Sequence, residues 1–234
     1  MLYELRFYNV APGRMPENHE RHRTGLPPLF ARHGIEVVGR WTATAGPDTP
    51  LFAYLMSYPD LAERERQWTA FYDDADWWAL RTKTNAGSEM VERYDLMFLR
   101  PHPRLSPATI TPGERLGGVH ELVFLEVGAG LGSQAGQFLE TALLPAILRQ
   151  GGRVMMVADL MTGPRLPRMA LMIAWSDAEA AFRGRMAVDA DQLVLAAQQV
   201  ERQNGGKTAL GRADIYGLEP AAYALPFAAL GAEA

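Results

Sequence analysis

Apolar and polar residues alternate through YELRFYNV at 3–10, a segment rich in aromatic and branched side chains. The alternation predicts a strand with Leu5 and Phe7 on one face and Glu4, Arg6 and Tyr8 on the other. PGRMPENHERHRTGLPPLFARHG follows, a helical stretch with Gly34 as C-cap and a Pro-Pro irregularity near its end. GIEVVGRWTATA and LFAYLMSY are two further strands joined by a turn at Gly46, Pro47 and Asp48. Asp60, with Glu63 three residues on, caps a second helix through DLAERERQWTAFYDD. A short helical stretch around DWWALRTK and a strand near MVERYDLMFLRP complete the set.

The same pattern then starts again. HELVFLEV at 120–127 is a strand, 131–150 a helix, 152–161 and 168–175 strands, 177–204 helical and 211–217 a strand. Shifting the chain by 117 aligns Glu4, Leu5, Phe7 and Val10 with Glu121, Leu122, Phe124 and Val127. It also aligns Gly13, Thr24, Leu26, Pro28, Arg32, Gly34 and Val37 with Gly130, Thr141, Leu143, Pro145, Arg149, Gly151 and Val154. Gly46, Pro47, Pro50, Ala53 and Asp60 meet Gly163, Pro164, Pro167, Ala170 and Asp177, which makes 16 identities in the 60 positions from 3 to 62. Chance would give about 4 at average composition. The chain therefore divides into a first repeat at 1–100, a Pro- and Gly-rich linker at 101–118, a second and degenerate repeat at 119–220, and a tail at 221–234.

The order β-α-β-β-α-β is the ferredoxin-like unit, an antiparallel sheet with helices on one face. Each sheet must bury its other face, and two of them on one chain can do so against each other. The expected fold class is α+β, with two ferredoxin-like repeats whose antiparallel sheets pair into an intramolecular barrel, helices outside.

Composition narrows the functional classes. A net charge of −4 gives no electrostatic reason for a nucleic-acid or membrane partner, and the absence of cysteine removes disulfides and thiolate chemistry. No apolar run approaches the roughly 20 residues of a membrane span, and MLYELRFYNV carries no signal-peptide pattern, so the expectation is a cytoplasmic protein.

YELRFYNVAPGRM, HGIEVVGRW, the Gly-Pro turn and YPDLAERERQWTAFYDDADW together resemble the NIPSNAP domain, over residues 3–99. That resemblance implies the dimeric α/β-barrel superfamily, with ferredoxin-like units paired face to face. The superfamily includes cofactor-free oxygenases, cyclases, isomerases and haem-degrading enzymes as well as plain binding modules, so it implies fold far more than function.

The repeat also serves as an internal control. The first helix of repeat 2 has the apolar stripe Leu131, Ala135, Phe138 and Leu139, and repeat 1 sets Arg14, Asn18, Arg21 and His22 against it. Arg6, Trp41, Arg64 and Trp68 likewise become Val123, Ala158, Ala181 and Arg185, and Glu65 becomes Phe182, which suggests an inward Glu65. Polar groups on a core-facing stripe need partners, so repeat 1 is the candidate ligand-bearing half. His22, Arg6, Asn18 and Arg21 are the candidate catalytic residues, and Tyr8, Trp41, Glu65, Trp68 and Tyr72 the candidate substrate wall. His22 would shuttle a proton, Asn18 and Arg21 would orient the substrate, and Arg6 would stabilise a developing enolate or carboxylate.

Each candidate has a structural rival. The Glu4–Arg6 pair suits an ion pair in the barrel better than an anion clamp. The His19–His22 spacing has no third ligand, so no metal is expected, and no cofactor either. His33 suits a helix C-terminus, His120 the barrel rim, and Asp73, Asp74 and Asp76 a solvated helix end. GAGLGS at 128–133 is not GxGxxG and does not follow a parallel strand, which excludes dinucleotide binding. The expected partner is a small hydrophobic or aromatic molecule, in a monomer or homodimer. The expected function is cofactor-independent chemistry of isomerase, cyclase, decarboxylase or oxygenase type; the alternative is a non-catalytic binding or scaffold protein.

Overall fold

A computed structural model describes residues 1–102, 116 and 118–223. Most of the expected linker and of the C-terminal tail lies outside the described residues. Repeat 1 runs β1 (Leu2–Val10), α1 (Met15–Glu20), a π turn (Arg21–Gly25), α2 (Leu26–Arg32), β2 (Glu36–Ala45), β3 (Leu51–Tyr58), α3 (Leu61–Tyr72), α4 (Ala75–Asn85) and β4 (Val91–Pro101). Repeat 2 runs β5 (Val119–Val127), α5 (Gly132–Phe138), a second π turn (Leu139–Leu143), α6 (Leu144–Arg149), β6 (Arg153–Leu160), β7 (Arg168–Trp175), α7 (Ala178–Asp189), α8 (Gln192–Gly205) and β8 (Leu210–Pro220). Asp60 and its counterpart Asp177 accept the backbone N–H of Glu63 and Ala180, the expected N-caps of α3 and α7.

The eight strands close into one antiparallel barrel in the order β1-β3-β2-β8-β5-β7-β6-β4. Each repeat contributes four adjacent strands, and the closing seams join β2 to β8 and β4 to β6. Strand alternation splits the side chains into two sets. Leu5, Phe7, Leu55, Leu99, Leu122, Phe124 and Met172 fill the barrel interior. Phe52, Met56, Trp68 and Phe71 form a second layer between the repeat 1 sheet and its helices, and Val123, Phe138, Leu139 and Leu171 belong to the corresponding layer of repeat 2. The barrel thus leaves neither sheet with a bare face or edge.

The first helix departs from expectation in one respect. Its irregularity is a widened π turn lying just before Pro27-Pro28, and repeat 2 has the same turn before Pro145. A proline cannot donate to the carbonyl four residues back and crowds it, and a π turn relieves that clash. Thr24 and Thr141 donate their hydroxyls to the carbonyls of Glu20 and Gln137 at 2.9 and 2.8 Å, which explains why both repeats keep a threonine there.

Candidate functional site

Three side chains stand side by side on the helix-facing side of the repeat 1 sheet. Arg6 on β1 pairs in register with Tyr54 on β3, which pairs with Arg40 on β2. The next row of the same face is Tyr8, Phe52 and Thr42. Above them the first helix lays Asn18 and His22, four residues apart on one helix face. The His22 ring lies 4.4 Å from that of Phe52, 5.0 Å from Tyr54 and 6.3 Å from Tyr8. Tyr8 continues outward to Tyr94, 5.8 Å away and more than half exposed, so a line of tyrosines leads from the surface to His22.

Repeat 2 defines what this layer looks like as ordinary core. The positions of Arg6, Tyr8, Asn18, Arg21, His22, Arg40 and Tyr54 are there Val123, Leu125, Ala135, Phe138, Leu139, Val157 and Leu171, all in one hydrophobic cluster. The register repeats as well, with Val123 opposite Leu171 and Leu171 opposite Val157. Seven apolar side chains on one backbone are thus replaced by seven polar ones on the other.

Several of those polar groups are unsatisfied. Asn18 and His22 are 0% and 1% exposed; neither amide atom of Asn18 nor Nδ1 of His22 has a hydrogen-bond partner. Burial holds the His22 pKa well below the usual histidine value, and Arg40, Arg21, His19 and Arg6 push it the same way. His22 is therefore a neutral imidazole, and a weaker base than a free histidine. Tyr54 donates to Tyr8, and burial raises its pKa well above that of a free tyrosine.

The cations differ in their employment. Arg6 pairs with Glu4, stacks 3.7 Å from the Trp68 ring centroid, and donates weakly to Tyr8 and Tyr54 at 3.4 Å. Glu4 also takes Arg64 at 2.7 Å, so one carboxylate serves two guanidiniums. This ion pair sits between sheet and helices rather than inside the barrel, because Leu5 and Phe7 hold the interior face of β1. Arg21 donates to Thr84 Oγ1 and Asn85 Oδ1 at 2.7 and 2.6 Å, tying the π turn to the end of α4. Arg40 forms no such bond. Sequence reading passed over Arg40 and Tyr54, although both carried the signal that marked His22, a polar residue against Val157 and Leu171.

Other expected site residues lie elsewhere. Trp41 points into the barrel, on the opposite face of the sheet from His22, and donates from Nε1 to His120 Nδ1 at 2.8 Å. A bulge between Val37 and Gly39 sets that phase, and Gly39 leaves room for the indole. His120, expected at the rim, is buried in the barrel beside it. Glu65 is exposed and pairs with Arg64 at 3.2 Å; the buried face of α3 runs through Gln67, Trp68 and Phe71, and Phe182 in repeat 2 is exposed too. Trp68 is buried against Tyr58, to which it donates at 2.7 Å, while Tyr72 outside it is 43% exposed. His33 caps α2 and bonds Asp74 at 2.8 Å, a partly buried contact away from His22. Among the described residues, no group of three histidine, aspartate or glutamate side chains could hold a metal ion, and no helix is long and apolar enough to cross a membrane.

Repeat 2 has a cavity of its own. About 550 Å³ opens between α5 and α8, lined by Leu131, Phe138, Val200, Glu201 and Lys207 among others. In repeat 1 the equivalent space is crossed by Arg14 and Arg21, which reach the end of α4.

Comparison with known proteins agrees with this architecture. A candidate monooxygenase from Lactobacillus acidophilus NCFM superposes with a TM-score of 0.60 at 13% identity, covering 98% of this chain and 97% of its own. An anthrone oxidase-like protein superposes at 0.56 and 15%, covering 100% and 96%. At such identities the likeness is one of fold. A NIPSNAP domain protein from Burkholderia xenovorans, 21% identical, covers 45% of this chain and 98% of its own at a TM-score of 0.38. No curated protein sequence matches the chain. The NIPSNAP family model matches residues 3–105, a span that takes in all four strands of the first repeat.

Proposed function

We propose that repeat 1 binds a small aromatic or hydrophobic molecule between the first helix and the sheet, and acts on it through His22 without a resident cofactor. The observation that carries this reading is the sevenfold replacement of a hydrophobic layer by a polar one in which Asn18, His22 and Arg40 keep buried atoms without partners. Such a layer costs stability, and unsatisfied groups of this kind concentrate where a ligand completes them. Phe52, Tyr54, Tyr8 and Trp68 supply aromatic walls. The guanidiniums that depress the His22 pKa favour an anion formed beside them; that anion would offset their effect on the imidazole, letting His22 take the proton from an acidic O–H or C–H. Base-initiated isomerisation, cyclisation and oxygenation start from such an anion, and decarboxylation leaves a carbanion as CO2 departs, which the same guanidiniums would stabilise. The names of two neighbours spanning the whole barrel, a candidate monooxygenase and an anthrone oxidase-like protein, favour oxidation of that anion with dioxygen as the oxidant.

The test is to purify the protein without additives, extract it, and analyse by mass what it releases, for wild type and His22→Leu. The expected result is an aromatic molecule that wild type retains and converts and the variant retains without converting. A wild-type protein that releases nothing, and protects no aromatic compound in a thermal-shift screen, would leave the cluster as structure in a binding-incompetent scaffold.

A further inference from the structure

Arg40 sets the chemical class of that molecule, an inference that rests on the site proposed above. Its residue is 6% exposed, its Nε is buried without a partner, and its side chain makes no hydrogen bond or ion pair with any described residue. Every other cation of the cluster is engaged, Arg6 and Arg64 by Glu4 and Arg21 by Thr84 and Asn85. The titratable groups coupled electrostatically to Arg40 are Tyr54, Tyr223 and His22, and no carboxylate is among them. A buried guanidinium without a counter-ion is strongly unfavourable, yet this one stands where repeat 2 packs Val157. The amide of Asn18, one helical turn from His22, and Nδ1 of His22 are likewise buried without partners.

We propose that the missing partner is the ligand's own anionic group, and that this site takes an aromatic carboxylate or phenolate. Arg40 donates to its oxygen, the paired donors of the guanidinium suiting a planar oxyanion. Asn18 contributes a further donor through Nδ2 and an acceptor through Oδ1 for a neighbouring hydroxyl. His22 itself packs 4.4 Å from Phe52 and 5.0 Å from Tyr54, so the ring system enters beside these three rings rather than between them.

Calorimetric titration with 2-naphthoate and with 2-naphthamide, matched in shape and differing in charge, tests this. Wild type binds the anion about tenfold or more tightly than the amide, that is by about 1.4 kcal/mol or more. Arg40→Val removes that preference, bringing the two affinities within about twofold of each other, and Arg40→Lys keeps part of it. Valine occupies the same register position in repeat 2, and circular dichroism confirms the variant's fold; if it is unfolded, Arg40→Gln takes its place. Equal affinity of wild type for both probes, or a preference that survives Arg40→Val, would overturn the anionic class and leave the aromatic site standing. Failure of wild type to bind either probe would remove both.

Discussion

Asn18 and Ala135 occupy equivalent places on the first helix of each repeat, and both are fully buried. Alanine there is silent, whereas neither atom of the Asn18 amide has a partner. Each unsatisfied buried polar group costs about 1–3 kcal/mol, and alanine is also the better helix former. Asn18→Ala should therefore raise the unfolding free energy by about 1–3 kcal/mol in urea titrations, while weakening retention of any bound aromatic. A variant less stable than wild type would mean that Asn18 has a structural partner and is not held for a ligand. The repeat comparison made Asn18, Arg21, His22 and Arg6 legible because their counterparts in repeat 2 are core residues. It misled at Glu65, since Phe182 lies on the surface and its apolarity says nothing about burial. A change in polarity marks a site only where helix or strand phase already places the position inside.

Most elements were legible to within a residue or two because each repeat spelled the same order twice, although β8 runs three residues past the expected end at 217 and the helical span at 177–204 is the two helices α7 and α8. The turn glycines Gly46 and Gly163 share a positive φ, 123° and 125°, so the identities at this turn record backbone geometry rather than chemistry. The π turns were not legible, because a proline announces that a helical bond is lost but not how the chain rearranges around it. Nor was the contrast in how the two repeats close their helix layers. Arg14 donates to the carbonyls of Thr84, Asn85 and Ser88 at 2.8, 2.9 and 2.9 Å, satisfying the C-terminus of α4. Leu131 at the same position cannot, and a cavity opens beside α8. Arg14→Leu should accordingly loosen the end of α4. Amide hydrogen exchange across residues 84–90 should quicken about tenfold or more with β1 unaffected; unchanged exchange there would show that the carbonyls need no guanidinium.

At the scale of the molecule the two repeats share one interior, and a polar contact crosses it. Trp41 of repeat 1 donates to His120 Nδ1 of repeat 2, whose Nε2 bonds the Leu116 carbonyl at 3.0 Å, an arrangement that requires a neutral imidazole protonated at Nε2. Protonating Nδ1 would turn the acceptor into a donor facing the indole N–H. Burial accordingly pushes the His120 pKa down to about 4, against the ordinary value of 6.5. The unfolded chain therefore takes up a proton at a pH where the folded barrel refuses it. Stability supplied by neutral His120 is complete above about pH 6.5 and is lost as the pH falls through 6.5 toward 4, by on the order of 3 kcal/mol. His22, held neutral in the helix layer, acts in the same direction. Carboxylates titrate over the lower part of this range too, so the informative quantity is the difference between wild type and His120→Gln, which keeps a donor and an acceptor but does not titrate. Urea unfolding at pH 7.5 and pH 4.5 should show wild type losing about 2–3 kcal/mol more than the variant on acidification. Equal losses would mean that the barrel accommodates a charged imidazole, and that the Trp41–His120 contact joining the two repeats yields before the fold does.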